Sequence, residues 1–400
     1  MTRAASSRAV AVALVTLGTF TDLLAYSIAV PVLPDLTRRL GASPTVIGLL
    51  FGSFGVTLLG VSVPAGALSD RVGRRLPLVF GMVLLAGSTL LFAYGDRLWW
   101  LFAARLMQGA ADALAWGVGF ALVADLYAAE ERGRVMGLVM SGSNLGFMLG
   151  PSLGGWLYET GGARLPFLAV TALALVTAMG TLLLRVPALS APREPAAFAK
   201  LLGHRPIWSC AVVVAVASAT ISMMEPVLSL WLSTALGLAP GRIGTVFGTA
   251  AVASTMLHPV YGRLADRYGG RLLMLIGLAA VGGVLPVLGQ ASSFATAVGL
   301  FVLLSAMISL IVTPSLTYMG EATAAAGVTG FGVSYGLYNV AWGVGLLGGP
   351  ALGGFLFEHV GFPTLTLVWP PLILAAAIVL AQSGPVPGPR ATPCGSAGGS

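Results

Sequence analysis

Charge is what this 400-residue sequence has least of: Asp, Glu, Lys and Arg together make up 9% of it, against 57% hydrophobic residues. A soluble domain of this length could not cover itself with so little polar surface. The chain therefore belongs in a bilayer, and its mean hydropathy of +0.92 agrees. Cysteine is nearly absent too. Cys210 opens an apolar segment and Cys394 lies in the tail, environments too different for pairing, so neither a disulfide framework nor a metal site is supported. No nucleophile-base constellation and no phosphate loop is visible, which argues against an enzyme and against any cofactor. The 21 basic residues give a net charge of +7, but they are scattered between apolar segments rather than gathered on one face. They read as topology signals, and nucleic acid is not expected as a partner.

What is present is a repeat. Gly66 to Arg75 reads GALSDRVGRR and Gly262 to Arg271 reads GRLADRYGGR, 196 residues apart; GFMLGPSLGG from Gly146 and GVGLLGGPALGG from Gly343 place Pro151 and Pro350 199 residues apart. The chain is thus two related halves, an organisation that points to a transporter. With about 20 apolar residues needed to cross the hydrocarbon core, the sequence predicts helices near 9–33, 44–67, 74–94, 98–126, 133–158 and 163–185, then 206–234, 241–265, 271–290, 293–319, 326–356 and 362–382. The fold class is an all-α membrane protein of twelve transmembrane helices in two six-helix bundles, residues 1–186 and 206–382. Residues 187–205, with Pro192, Arg193, Glu194, Pro195 and Lys200, read as the linker, and 383–400 as a disordered tail.

Arg3 and Arg8 ahead of an apolar stretch resemble a secretory signal, but the stretch runs on to Pro34 and carries Asp22 in its middle, so it is read as a retained first helix. An even number of helices puts both termini on one side. That side collects 15 of the basic residues and the other side 5, with Arg105 inside a helix, so termini, linker and both decapeptides are expected in the cytoplasm. An integral multi-pass protein of a bacterial-type plasma membrane, monomeric and contacted by lipid, is the corresponding expectation.

The halves, the paired GxLxDRxGxR loops and the glycine-proline pattern of the fifth segment resemble the major facilitator superfamily over nearly the whole chain. Gly137, Gly146, Gly150, Pro151, Gly154 and Gly155 resemble its antiporter signature, and the eleventh segment repeats it at Gly336, Gly345, Gly349, Pro350, Gly353 and Gly354. Arg105 followed by Gly109 resembles a third motif, associated there with proton coupling. TDLLAYSIAVPVLP, MMEPVLSLW, ADLYAAEERGRVMG and the stretch from Tyr335 to Pro363 resemble the drug:proton antiporter family that includes the vesicular amine transporters. The resemblance implies exchange of protons for organic cations or hydrophobic amines. Departures accompany it: Phe54 stands where those transporters carry a lysine, Asn339 where they carry its aspartate partner, and Ser309 where they carry a further aspartate.

Independently of any family, an ionised side chain at a helix centre costs on the order of 2.5–3.5 kcal/mol, so it is kept only with a partner, water or a job. Asp22, Arg105, Asp112 and Glu225 are such residues. Asp22 shares a face with Thr19 and Tyr26, where a carboxylate can hold a cation against an aromatic wall or take up a proton when the cation leaves. Arg105 and Asp112 share an azimuth but lie about 10 Å apart along the axis; Gly109 and Trp116 complete that face, and Arg105 is left to a carboxylate of another helix or to water. Glu225 precedes Pro226, whose missing N–H frees the Ser222 carbonyl and makes a polar notch beside Met223 and Met224. Tyr335, Tyr338, Asn339 and Trp342 form an aromatic-polar stripe at helical spacing, and His258, before Pro259, is a further titratable group.

Asp70 and Arg71, with Asp266 and Arg267, are expected to latch the halves on the cytoplasmic side, with Asp125, Glu130 and Arg132 in the same network. The function that follows is a proton-coupled antiporter for hydrophobic, cationic small molecules working by alternating access. A facilitator or symporter of a neutral solute such as a sugar, and a non-transporting receptor or scaffold on the same fold, are the alternatives; the former would want more buried amides and hydroxyls, the latter has no use for midplane carboxylates.

Overall fold

Lipid offers no hydrogen bonds to a bare backbone, so a chain this apolar has to satisfy every peptide group within helices. The computed structural model describes residues 3–127, 129–184, 204–326 and 331–384, with the side chains of 3–7, 129–130, 132–133 and 331–335 outside that description. The first half contains α1 (Arg3–Ser27), α2 (Pro44–Val72), α3 (Arg75–Tyr94), α4 (Leu98–Ala113), α5 (Ala129–Gly161) and α6 (Leu165–Leu183). The second contains α7 (Arg205–Ala235), α8 (Pro240–Tyr268), α9 (Gly270–Leu288), α10 (Phe294–Ala325), α11 (Phe331–Val368) and α12 (Pro370–Gln382). Ten described stretches are long and apolar enough to cross a membrane. The last of these, Gly336–Gln382, turns at Gly361, whose φ of 76° breaks the helix, and so holds two crossings. With the 33-residue α5 the crossings number twelve.

Two segments depart from the expected continuous helices. The first does not end at Pro34: α1 stops at Ser27, a 3₁₀ turn follows at Val30–Val32, and a short helix, Leu33–Leu40, ends on Gly41 at φ 60°. Pro31 and Pro34 each occupy the start of the element they open, where no N–H is missed. The fourth is interrupted after Ala113 by a π turn at Leu114–Val118 and resumes at Gly119–Leu126. The predicted linker falls almost wholly, and the predicted tail mostly, outside the described residues; Arg205 already belongs to α7.

The repeat seen in the sequence is obeyed in space. Within the first half α1 packs on α5, α2 on α4 and α3 on α6; one repeat later α7 packs on α11, α8 on α10 and α9 on α12. Between halves α2 meets α11 and α5 meets α8. In a membrane such contacts rest on close backbone approach rather than on the hydrophobic effect. Gly48 lies against Pro350 and Gly354, and Gly244 against Pro151 and Ser152, the same contact made twice. These inter-half contacts all lie on the side of Pro44 and Pro240, away from the decapeptides.

Candidate functional site

The buried ionisable residues fall into two clusters, and the backbone explains the first. Asp112 is the penultimate residue of α4 and Trp116 lies inside the π turn, whose wider ring inserts an extra residue and swings the indole toward α1. Trp116 Nε1 donates to Asp22 Oδ2 at 3.2 Å, and the Asp112 carboxyl lies within hydrogen-bond reach of Asp22. Asp22 is 1% exposed and Asp112 9%. Asp22 Oδ1 has no hydrogen-bond donor among the described residues. A proton on either acid makes the bond. No arginine, lysine or histidine nitrogen approaches either acid to ion-pair distance among the described residues.

The second cluster joins the halves. Tyr26 Oη donates to Glu225 Oε2 at 2.6 Å, and Ser229 Oγ donates to the Val30 carbonyl at 2.7 Å, two bonds that tie α1 and the turn after it to α7 of the other half. Glu225 is 4% exposed and points inward, not out to lipid. Beside it Arg105, fully buried, makes no ion pair among the described residues. Its guanidinium lies 3.8 Å over the Phe51 ring, 5.2 Å over Phe92 and 5.3 Å over Tyr26, and its NH1 donates to Gln108 Oε1 at 2.8 Å. Cation-π contacts of this kind contribute about 0.5–2 kcal/mol each where water is excluded. The Tyr26 ring packs edge-on against Phe54 at 5.0 Å and stacks near Phe147 at 6.5 Å.

Several expectations are corrected here. The face of α1 that was to carry Thr19, Asp22 and Tyr26 together is divided among three neighbours: Thr19 accepts from Ser143 of α5, Asp22 turns to α4, and Tyr26 turns to α7. Arg105 therefore overlooks Glu225 and Tyr26 rather than Asp112. The stripe on α11 is described only in part. Tyr338 and Trp342 stack at 6.3 Å on the face that Gly345 and Gly349 press against α7, Asn339 is exposed on the next face, and the Tyr335 side chain lies outside the described residues. His258 shares a hydrogen bond with Thr313 at 2.6 Å, apart from both clusters. Gln108, Phe51 and Phe92 escaped the sequence reading. The spacing Arg105, Gln108, Gly109 was a usable signal for Gln108; the two phenylalanines had none.

The latch is also rearranged. Asp70 is paired with Arg74 at 2.5 Å, and Arg74 Nε with Asp125 at 2.9 Å, while Arg71, Asp266 and Arg267 are exposed. The second decapeptide has Gly270 where the first has Arg74, so Asp266 lacks the corresponding partner. Arg271 instead donates to the carbonyls of Leu380 and Ala381, capping the end of α12. These contacts stay within one half. The side chains of Glu130 and Arg132 lie outside the described residues. Hydrogen bonds to charged groups are worth about 1.5–3 kcal/mol, so Arg74→Ala is expected to lower the melting temperature in detergent measurably. Arg71→Ala should leave it within error; equal shifts would contradict the assignment.

The antiporter-like glycines work as spacers. Gly146, Gly150 and Gly154 let α5 lie directly on Phe20 and Ser27 of α1 and on Ile28 just past its end, and Gly155 turns to Pro240 of α8; Pro151 carries the carbonyl that Gly244 covers.

Comparison with known proteins follows the same lines. The sequence model of the Major Facilitator Superfamily matches residues 15–224 and 210–394. The chromaffin granule amine transporter of Rattus norvegicus is 29% identical over 325 residues, 80% of this chain and 62% of that transporter, so the chain spans less than two thirds of its length. The MFS-type transporter SLC18B1 of Homo sapiens is 29% identical over 362 residues, covering 85% of this chain and 78% of that one. Among solved structures, an inward-facing, occupied bacterial homologue of the human lysosomal transporter Spinster superposes with a TM-score of 0.79 at 14% identity, covering 93% of this chain and 96% of that one. The human organic anion transporter MFSD10 gives 0.66 at 19%, covering 93% and 99%.

Proposed function

Because the chain belongs to the major facilitator superfamily, we propose that it is a proton-coupled antiporter carrying hydrophobic organic cations, amines among them, by alternating access. The observation that carries this reading is the Asp22 and Asp112 pair: two carboxyls in contact, capped by an indole N–H and without a basic partner. Such a pair accepts a proton between its oxygens or a cation in its place. One displaces the other, which is the requirement for exchange. Glu225, held by Tyr26 between the halves, is the second acid through which occupancy is felt by both bundles. The names of the curated relatives support an amine as the cation.

The asymmetry of the halves supports the same reading. In the register set by the equivalent glycine contacts, Asp22, Arg105 and Asp112 correspond to Ala217, Phe301 and Ile308, so the chemistry belongs to the first bundle and the second answers it with Glu225 alone. Neither a sugar site nor a scaffold calls for three buried acids against one arginine. With the termini in the cytoplasm, as the distribution of basic residues favours, the side closed by Gly48 and Gly244 is external. The vesicular relatives take their name from an organelle, and charge decides orientation rather than compartment.

The test is purified protein in proteoliposomes with an imposed proton gradient and a fluorescent hydrophobic amine. The expected result is amine accumulation on the acidic side, collapsed by a protonophore, with proton release when amine is added to the loaded vesicles. Amine flux indifferent to the gradient would reject coupling, and no flux of any tested cation would reject the substrate class.

A further inference from the structure

At the side where the halves are closed, two exposed glutamates reach across the interface. Glu159, near the end of α5, accepts the Gly241 N–H through Oε1 at 2.9 Å, and Glu358, near the end of the first helix of α11, accepts the Thr45 N–H through Oε2 at 2.9 Å. Gly241 and Thr45 stand in the first turns of α8 and α2. Each follows a proline, Pro240 or Pro44, which has no N–H, so the glutamate takes the first donor each helix offers. A carboxylate there also meets the positive end of the helix dipole.

The two bonds run in opposite directions between the bundles, first half to second and second half to first. Glu159 and Glu358 are 199 residues apart, and Thr45 and Gly241 are 196 apart, the separations already found for the prolines and the decapeptides. One contact has therefore been kept twice by the repeat, at the ends of the two helix pairs that seal the interface. Both glutamates are exposed, so neither bond is locked by burial.

We propose that Glu159 and Glu358 are a matched pair of latches that hold the halves together on this side and set how often it opens. The inference rests on the rocking of halves in the proposed function. The bonds exist only while α5 stays on α8 and α11 on α2; parting the bundles breaks both together, and reclosing remakes them.

The experiment uses the full chain with Cys210→Ala and Cys394→Ser, carrying Ser229→Cys as a reporter. Ser229 is buried and bonded across the interface to Val30, so its labelling by a membrane-impermeant maleimide reports opening. Loss of one charge-assisted contact at a helix terminus is expected to raise the labelling rate roughly two- to fivefold. Glu159→Ala and Glu358→Ala should each do so, and the double variant should give roughly the product, as independent sites do. Gly244→Val, which wedges the same interface apart, is the reference. Unchanged labelling in the double variant while Gly244→Val raises it would overturn the latch. Unchanged labelling in all three would overturn the rocking on which the latch depends, and a melting temperature equal to the parent's excludes general loosening as the cause of a rise.

Discussion

Asp22→Asn is expected to abolish proton-driven transport and to weaken cation binding by roughly 100-fold, the equivalent of about 3 kcal/mol for a buried charge that loses its partner. The substitution is nearly isosteric. The amide oxygen can still accept from Trp116 Nε1, and the amide N–H₂ can donate to Asp112, so the α1–α4 contact stands. What vanishes is the group that alternates between proton and cation. Asp112→Asn should behave differently, because Asp22 then keeps its charge and gains a permanent donor: cation binding should persist and its dependence on pH should flatten. Equilibrium binding of the amine at several pH values, with counterflow in proteoliposomes, separates the two. Normal coupling in Asp22→Asn would remove the acid pair from the mechanism.

Gly244→Val is expected to stop transport while sparing binding. A Cβ at Gly244 would overlap the Pro151 carbonyl oxygen and lie 3.1 Å from its carbonyl carbon, and the counterpart Gly48 meets Pro350 in the same way. Backbone cannot yield as a flexible side chain can, so the halves must separate at that point. A cost of about 3 kcal/mol against the closed arrangement lowers its population relative to the open one roughly 100-fold. Counterflow should fall accordingly, while the melting temperature and amine binding change little, because the strain falls between the bundles and not within either. Gly282→Val, at a position where a Cβ meets nothing within 4 Å, should transport normally. Equal loss in both variants would point to helix propensity rather than to the interface.

How much of this was legible in the sequence depends on the distance over which each feature is decided. Hydropathy and the repeat are written along the chain, so the crossings and the pairing of equivalent helices could be anticipated. The π turn could not, since Leu114–Val118 carries no proline and its register is set by what Trp116 packs against. Asp22, Asp112 and Glu225 stood out because a charge in an apolar run is conspicuous. Their grouping did not: helical spacing put Tyr26 with Asp22, whereas a bond to a residue 199 positions away took it to Glu225. The decapeptide announced Asp70, yet the choice of Arg74 over Arg71 turned on which guanidinium the bend at Gly73 directs toward Asp125. Glu159 and Glu358 carry no sequence signal of their own, because the helix start that each one meets belongs to the other half.

By itself the sequence determined that this protein lies in a membrane, that it is built from two related bundles, and that its few buried charges sit mainly in the first. Those properties follow from composition and periodicity, which each segment carries alone. Only the tertiary structure decided that the acids form one carboxyl pair and one inter-half hydrogen bond, that Arg105 rests on aromatic rings instead of an acid, and that the halves close on the side away from the decapeptides. The physical reason is that a partner is chosen by the rotation of a helix about its axis, and that rotation is fixed by the close backbone contacts of α5 on α1 and α8 and of α11 on α7 and α2.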